Sequence, residues 1–129
     1  LSKVMVQAMK DIGVGYGFKT LIAPVRPSQK CEHPKMSMER YIKLKNDKGL
    51  PYDAWMRVHA SLGARIVKVC PLSMRITGTV EEWEKWTGQS FPETGEYDVP
   101  EALVPITIDL SLDMGIYNEP NVWMVHEGL

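Results

Sequence analysis

The chain has 129 residues, a formal net charge of −1 and 44% hydrophobic residues, which suits one domain with its own core. Because acidic and basic residues nearly cancel and no block of like charge appears, the sequence offers no electrostatic footprint for nucleic acid or an anionic membrane surface. Its apolar runs fall short of the roughly 20 residues that cross a bilayer, and we expect a soluble, cytoplasmic protein.

The first predicted element is a helix of about three turns. Its apolar residues recur at helical spacing, and we expect this stripe to pack against the core: Leu1, Val4, Met5, Ala8, Met9 and Ile12. The glycine-rich segment Gly13–Gly17 follows at the C-terminal end of the helix, where carbonyl groups would repel a phosphate. We therefore predict a C-terminal cap with positive φ at Gly13 or Gly17, and no nucleotide loop.

The middle of the chain predicts a short buried strand, Thr20–Val25, and then a polar loop. A second helix is expected after Ser37, which can cap it, and it closes at Gly49. The lysines at 43, 45 and 48 give this helix a basic outer face. We interpret that face as solvated surface, with the steering of an anionic substrate as the alternative. A third helix is predicted from Tyr52 to Leu62.

The last part of the chain alternates strands with one short helix. Strands are predicted at Ala64–Cys70, Ser73–Thr77, Leu103–Ile108 and Asn121–His126. Thr79 and Glu82 form a capping box that opens the short helix, and Gly88 ends it. Trp83 and Trp86 lie on that helix, where we interpret them as core or lid packing and keep a ligand platform as the alternative. The predicted fold class is α/β, with an α+β mixed sheet whose strands need not be parallel.

Sequence spacing gives no support for a metal site or for hydrolase chemistry. None of the three histidines, His33, His59 and His126, has a second ligand at metal-binding spacing. Cys31 and Cys70 lie far apart without a CxxC pattern, so we expect two free thiols. A GxSxG nucleophile motif is also absent from the sequence.

One segment resembles a known family. Arg57-Val58-His59-Ala60-Ser61-Leu62-Gly63-Ala64, followed by a strand, is similar to the helix-to-strand segment of the GNAT superfamily of acyl-CoA-dependent N-acyltransferases, commonly Arg-Leu-Tyr-Glu-Lys-Leu-Gly-Phe. The upstream helix, glycine turn and strand look like the cofactor-binding helix and following strand of that family. So compared, the chain resembles the C-terminal half of a GNAT domain, with additions around Ser37–Lys48 and around the two tryptophans.

The resemblance implies an acyltransferase that moves an acyl group, acetyl by expectation, from coenzyme A to a small amine or peptide amine. Acetyl-CoA or another acyl-CoA would be the cosubstrate. The pyrophosphate would lie at the start of the first helix, where Ser2, Lys3 and Val4 are the available positions. The resemblance places the remaining cofactor-binding positions along the following strand and at the third helix: Ala23, Val25, Tyr52 and Asp53. For Tyr52 and Asp53, contact with the pantetheine arm and simple capping or solvation of the helix start both stay open.

The resemblance also has gaps. The tyrosine that protonates the leaving thiolate in many members falls at His59, for which catalysis and simple packing both stay open. The family's early strands and its pyrophosphate loop would precede Leu1, so activity is expected to need a missing half, a complementing chain or a homo-oligomer. The alternative function is a non-catalytic GNAT-like remnant that acts as a dimerisation or interaction module.

Overall fold

One long strand lies at the centre of the fold. The computed structural model of this protein describes residues 2–129. Leu1, which belongs to the predicted apolar stripe, lies outside the described residues. The helices are α1 (Ser2–Gly15), α2 (Met38–Tyr41), α3 (Ala54–Ser61) and α4 (Val80–Thr87), and a 3₁₀ turn spans Lys30–Glu32. The strands are β1 (Thr20–Val25), β2 (Arg65–Gly78), β3 (Gly95–Tyr97), β4 (Ile106–Asp109) and the long strand β5 (Met114–Glu127).

In the described part of the chain, all of the strand pairs are antiparallel, and three of the four involve β5. One edge of β5 pairs with β2 along most of its length. The opposite edge pairs with β4 near its start, where Thr107 faces Ile116, and with β1 near its end, where Val25 faces Val122. The structure is therefore a mixed α/β arrangement around an antiparallel sheet, within the predicted class.

The helix α1 forms where the spacing predicts it, but its predicted packing face is wrong. Val6 is buried, whereas Val4, Met5, Met9 and Ile12 are exposed, Met5 by 59% of its surface. The face with the most apolar residues thus points away from the sheet of this chain. Amphipathic spacing indicates that a helix has an apolar face, but it does not say which neighbour covers that face.

The glycine segment ends α1 as predicted. Phe18 N donates to Gly13 O at 2.9 Å and Gly17 N donates to Val14 O at 3.0 Å, which is the Schellman pattern of hydrogen bonds. The φ of +79° at Gly17 places the cap there, while Gly13 lies inside the helix. Carbonyl oxygens of α1 therefore occupy this end, as the sequence indicated.

Several boundaries differ from the predictions for tertiary reasons. The second helix is a single turn, because the chain turns back after it and residues 45 and 51 form an isolated β-bridge. The two strands predicted around Pro71 form one strand, β2, with irregular register between Cys70 and Met74. β1 is half-buried, with alternating exposure, because only one face of the sheet is covered there. The unpredicted start of β5 is extended because it pairs with β2 and β4.

Two apolar clusters pack on the sheet. The first lies between the sheet and the segment from α2 to α3, and it includes Val25, Tyr41, Met56, Val122 and Met124. The second lies beneath α4 and includes Trp83, Phe91, Ile106, Ile108 and Tyr117. Among residues 2–129, no helix is long and apolar enough to cross a membrane.

Candidate functional site

The start of α3 is held by one buried carboxylate. Asp53 is the N-cap of this helix and accepts hydrogen bonds from Trp55 N and Met56 N, both at 3.0 Å. It also accepts from Ser28 N and Gln29 N in the loop after β1, at 3.2 and 2.9 Å. Together with a fifth bond, from a buried tyrosine described next, these donors use the acceptor capacity of a carboxylate. Asp53 thus holds the start of α3 in place, and its predicted cofactor contact stays a prediction.

Tyr41 supplies the fifth bond and connects α2 to this point. Its hydroxyl donates to Asp53 Oδ2 at 2.6 Å, and burial together with this bond raises the pKa of Tyr41 above its ordinary value. Tyr52 packs edge-on against Tyr41 with a ring-centroid distance of 5.9 Å and is only half-buried. Tyr52 therefore stays accessible to a ligand at the α3 start, whereas Asp53 and Tyr41 do not.

His59, the predicted acid, is buried on the inner face of α3. Its Nδ1 lies 2.9 Å from Nε2 of His126 on β5, and its ring packs edge-on against Trp55. Burial, reinforced by the neighbouring His126, lowers the pKa of His59 to about 4. Burial and the nearby Lys10 also lower the pKa of His126. At neutral pH both imidazoles are therefore uncharged, and this arrangement favours the packing alternative for His59.

The other predicted cofactor positions lie in two places. Ser2, Lys3 and Val4 are exposed in the first turn of α1, and Lys3 and Val4 line a shallow groove of about 400 Å³ that extends to Leu62. Val25 is buried in the first apolar cluster, and Ala23 packs partly against it. The structure thus leaves the side chains of the helix start open to a ligand, while β1 can offer only backbone groups at Ala23 and Val25.

A larger cleft of about 480 Å³ lies beside α4 and was not predicted from the sequence. Arg26, directly after β1, lies at its polar end: its Nε donates to Glu119 Oε1 at 2.9 Å and its Nη2 donates to Glu101 O at 3.0 Å. Glu119 is buried and also accepts from the Tyr117 hydroxyl at 2.9 Å. Burial, with the Glu119 bond adding to it, raises the pKa of Tyr117 to about 12.

The tryptophans of α4 form the apolar wall of this cleft. Trp83 is buried and belongs to the second apolar cluster, as the packing interpretation predicted. Trp86 lies with its ring centroid 5.1 Å from that of Trp83, yet 55% of its surface is exposed. Trp83 therefore acts as core, whereas Trp86 leaves part of its indole open to the cleft. Within residues 2–129, no three histidine, cysteine or acidic side chains come together as metal ligands.

Sequence reasoning could not have found the polar end of the cleft. Arg26 and Glu119 are 93 positions apart, and His59 and His126 are 67 positions apart. The only local signal was the position of Arg26 immediately after a predicted strand, since functional side chains often follow strand ends. Glu119 lies just before the strand that the sequence predicts at Asn121–His126 and outside every predicted element.

Comparison with known proteins gives one informative match. The chain is 33% identical, over an alignment of 144 residues, to the arginine N-acetyltransferase avaD of Aspergillus versicolor. The alignment covers 98% of this chain and 50% of the relative, so the chain spans about half the length of the curated relative that it matches. No family model matches the chain, and no solved structure matches it significantly.

Proposed function

We propose that this chain forms part of an N-acyltransferase that transfers an acyl group from coenzyme A to an amine. The observation that carries the proposal is the 33% identity, along 98% of the chain, to a protein named for arginine N-acetylation. We further propose that residues 1–129 are a single GNAT-like domain or the C-terminal portion of one. The acceptor class suggested by the relative's name is an arginine-like amine or guanidine.

The order of elements supports the proposal. A helix with a glycine cap leads into β1, and α3 leads through Gly63 into β2, in the order that the resemblance to the GNAT superfamily implied. Gly63 has a φ of +96°, which explains why the Leu62-Gly63 turn uses glycine. The last strand, β5, then lies between β1 and β2 and pairs with both.

The edge of β1 opposite β5 is the proposed route for the pantetheine arm. No strand among residues 2–129 pairs with this edge, so its backbone N–H and C=O groups can bond to the amides of pantetheine, except at Pro24, which lacks an N–H. Ala23 and Val25 would take part through their backbone. Ser2, Lys3 and Val4 would approach the pyrophosphate, because first-turn N–H groups of a helix have no partner within the helix.

The reaction itself is balanced without an added oxidant or reductant. The acceptor nitrogen attacks the thioester carbonyl, a C–N bond replaces the C–S bond, the amine loses one proton and the thiolate gains one. Positioning of the two substrates supplies much of the rate enhancement in such a transfer. We propose that Asp53 and Tyr41 fix the α3 start beside Tyr52, and that His59 stabilises α3 against β5 without donating the proton.

The proposal is tested by the release of coenzyme A thiol from acetyl-CoA in the presence of arginine. Titration calorimetry with acetyl-CoA on the same protein measures donor binding separately from turnover. We expect binding of acetyl-CoA and a requirement for the amine in thiol release. Absence of acetyl-CoA binding by the folded chain would contradict the proposal and favour the interaction module.

A further inference from the structure

The cleft beside α4 has the surface of a binding site for a planar ring. Its volume is about 480 Å³, and most of its wall is apolar. The half-exposed Trp86 offers part of its indole to the open side. The apolar lining comes from β2, α4, β4 and the loop before β4: Met74, Ile76, Trp83, Trp86, Val99 and Ile106. Aromatic side chains in such clefts favour flat, apolar ligand groups.

The polar end of the cleft presents an oriented cation. The Arg26 guanidinium bonds through Nε to Glu119 and through Nη2 to Glu101 O, which fixes its plane. Its Nη1 makes no hydrogen bond to any of residues 2–129, and 48% of the side chain is exposed. An arginine held in this way can donate to a carbonyl-type oxygen of a ligand, and its side chain loses little conformational entropy when the ligand binds.

The rim beside this cation is held in an unusual conformation. Glu101 has a φ of +66°, in the left-handed region that non-glycine residues rarely adopt. Its carbonyl accepts from Arg26 Nη2, so the same bond that orients the guanidinium also holds the rim. Residues in such conformations are found disproportionately at ligand sites. The conformation of Glu101 therefore supports a binding site at this end of the cleft.

We infer that this cleft binds a planar aromatic group that carries a carbonyl-type oxygen, with the ring against Trp86 and the oxygen accepting from Arg26 Nη1. Calling this ligand the acyl acceptor rests on the proposed function. Arg26 directly follows β1, the strand proposed to lie along the pantetheine arm, so the cleft is at the end of that strand. The inference thus adds an aromatic, carbonyl-bearing part to the proposed amine substrate.

The test uses three small probes and the indole N–H signals of the four tryptophans in heteronuclear NMR. Phenylacetamide has the ring and the oxygen, phenethylamine lacks the oxygen, and acetamide lacks the ring. We expect phenylacetamide to shift the Trp86 signal, assigned by its loss in Trp86→Phe, and to bind at least about tenfold more tightly than either other probe. Phenylacetate run in parallel distinguishes a carboxylate from an amide.

Variants then assign the oxygen contact. Arg26→Met should remove the preference for phenylacetamide over phenethylamine, whereas Arg65→Met should retain it. Arg65 is a matched control because it also pairs with a glutamate, Glu127 at 2.7 Å, but at the far end of β2. If Arg26→Met does not fold, Arg26→Lys keeps the charge and loses the planar fork, so it should reduce the same preference. Equal binding of the two aromatic probes by the unaltered protein would overturn the inference.

Calorimetry with acetyl-CoA separates the two proposals. If the protein binds phenylacetamide at Trp86 but not acetyl-CoA, the inference that the cleft binds an aromatic ligand is supported and the acyltransferase proposal fails. If it binds acetyl-CoA but phenylacetamide leaves the Trp86 signal unmoved, the acyltransferase proposal stands and this inference is wrong.

Discussion

Gly78 lies directly opposite Gly115 across the β2–β5 pair, and each glycine is covered by one tryptophan of α4. A Cβ at Gly78 would come within 2.8 Å of the Trp86 ring, and one at Gly115 would overlap the Trp83 ring. The two glycines therefore let α4 lie closer to the sheet than any other residue would allow. Because α4 lies this close to the sheet, it forms one wall of the candidate cleft.

We predict unequal costs for the two alanine substitutions. Gly115→Ala should lower the free energy of unfolding by about 3 kcal/mol, because Trp83 is buried and cannot move aside. Gly78→Ala should cost about 1 kcal/mol, because the half-exposed Trp86 can shift. Urea denaturation measures both. Trp83→Leu combined with Gly115→Ala should recover part of the loss, and a purely additive result would contradict the proposed contact.

The His59–His126 pair predicts a loss of stability in acid. The pKa of His59 is about 4 in the folded protein and about 6.5 in an unfolded chain, so the unfolded state binds more protons between these values. This contribution to stability is therefore fully present above pH 6.5 and disappears as the pH falls through 4, at a cost of about 3 kcal/mol. Urea denaturation at several pH values should show this dependence, and His59→Gln should reduce it to the part that comes from His126, whose pKa is also lowered by burial.

The same variant tests the role of His59 in turnover. If His59 only packs, His59→Gln should keep acyl transfer within about threefold of the unaltered protein at pH 7. A loss of more than about tenfold in a variant that is folded would instead restore His59 as the acid.

Asp53 should behave as a structural residue. Asp53→Ala removes the acceptor of five hydrogen bonds, and we expect a loss of about 3–4 kcal/mol in unfolding free energy. Of these donors, Trp55 N keeps a second acceptor, Ser28 Oγ at 3.3 Å. Tyr41→Phe removes only one of these bonds and should cost about 1 kcal/mol. If Asp53 bound the cofactor directly, Asp53→Asn would weaken acetyl-CoA binding at unchanged stability, and calorimetry distinguishes the two results.

Lys30 is a buried cation that links the loop after β1 to the segment before β4. Its Nζ donates to His33 O and Leu103 O, both at 2.7 Å, and burial lowers the pKa of Lys30. Lys30→Met should cost about 2 kcal/mol, because both carbonyls lose their donor inside the protein. Lys35→Met, at an exposed position of the same loop, is the control and should change the midpoint of thermal unfolding very little.

The two faces of α1 predict opposite responses. Val6→Ala should destabilise the chain by about 1–2 kcal/mol, because Val6 is buried. Met5→Glu should be within about 0.5 kcal/mol of neutral and should reduce self-association, because Met5 is exposed on the apolar stripe. Urea denaturation and sedimentation velocity measure these effects. A large loss of stability in Met5→Glu would show that the stripe is covered.

Local chemistry explains which elements could be predicted. The whole of α4 follows from its capping box at Thr79 and Glu82 and from Gly88, whose φ is +69°. The glycine cap of α1 is equally local and is confirmed. Both features are fixed by contacts within a few residues, which are the contacts that sequence patterns report. The bounds of β1 are also as predicted, although this strand pairs with the distant β5.

The remaining features depend on partners far along the chain. The start of β5 is extended through its neighbours β2 and β4, although Asn118-Glu119-Pro120 has poor strand propensity. The Arg26–Glu119 pair and the two histidines form only when β5 is in place. The fold class could be predicted because it follows from local helix and strand patterns. The cleft beside α4 could not, because its residues come together only when distant strands pair.

The position of β5 also determines the order in which the sheet can be built. Within residues 2–129, β1 and β2 precede β5 along the chain and pair with no other strand. Of the strand pairs in this part of the chain, only the β3–β4 hairpin can form before β5 has been made. Both earlier strands must therefore wait for a partner, with β1 about 100 residues away from it, and such separations slow folding. Chaperones that shield unpaired strands would have their main opportunity in this interval.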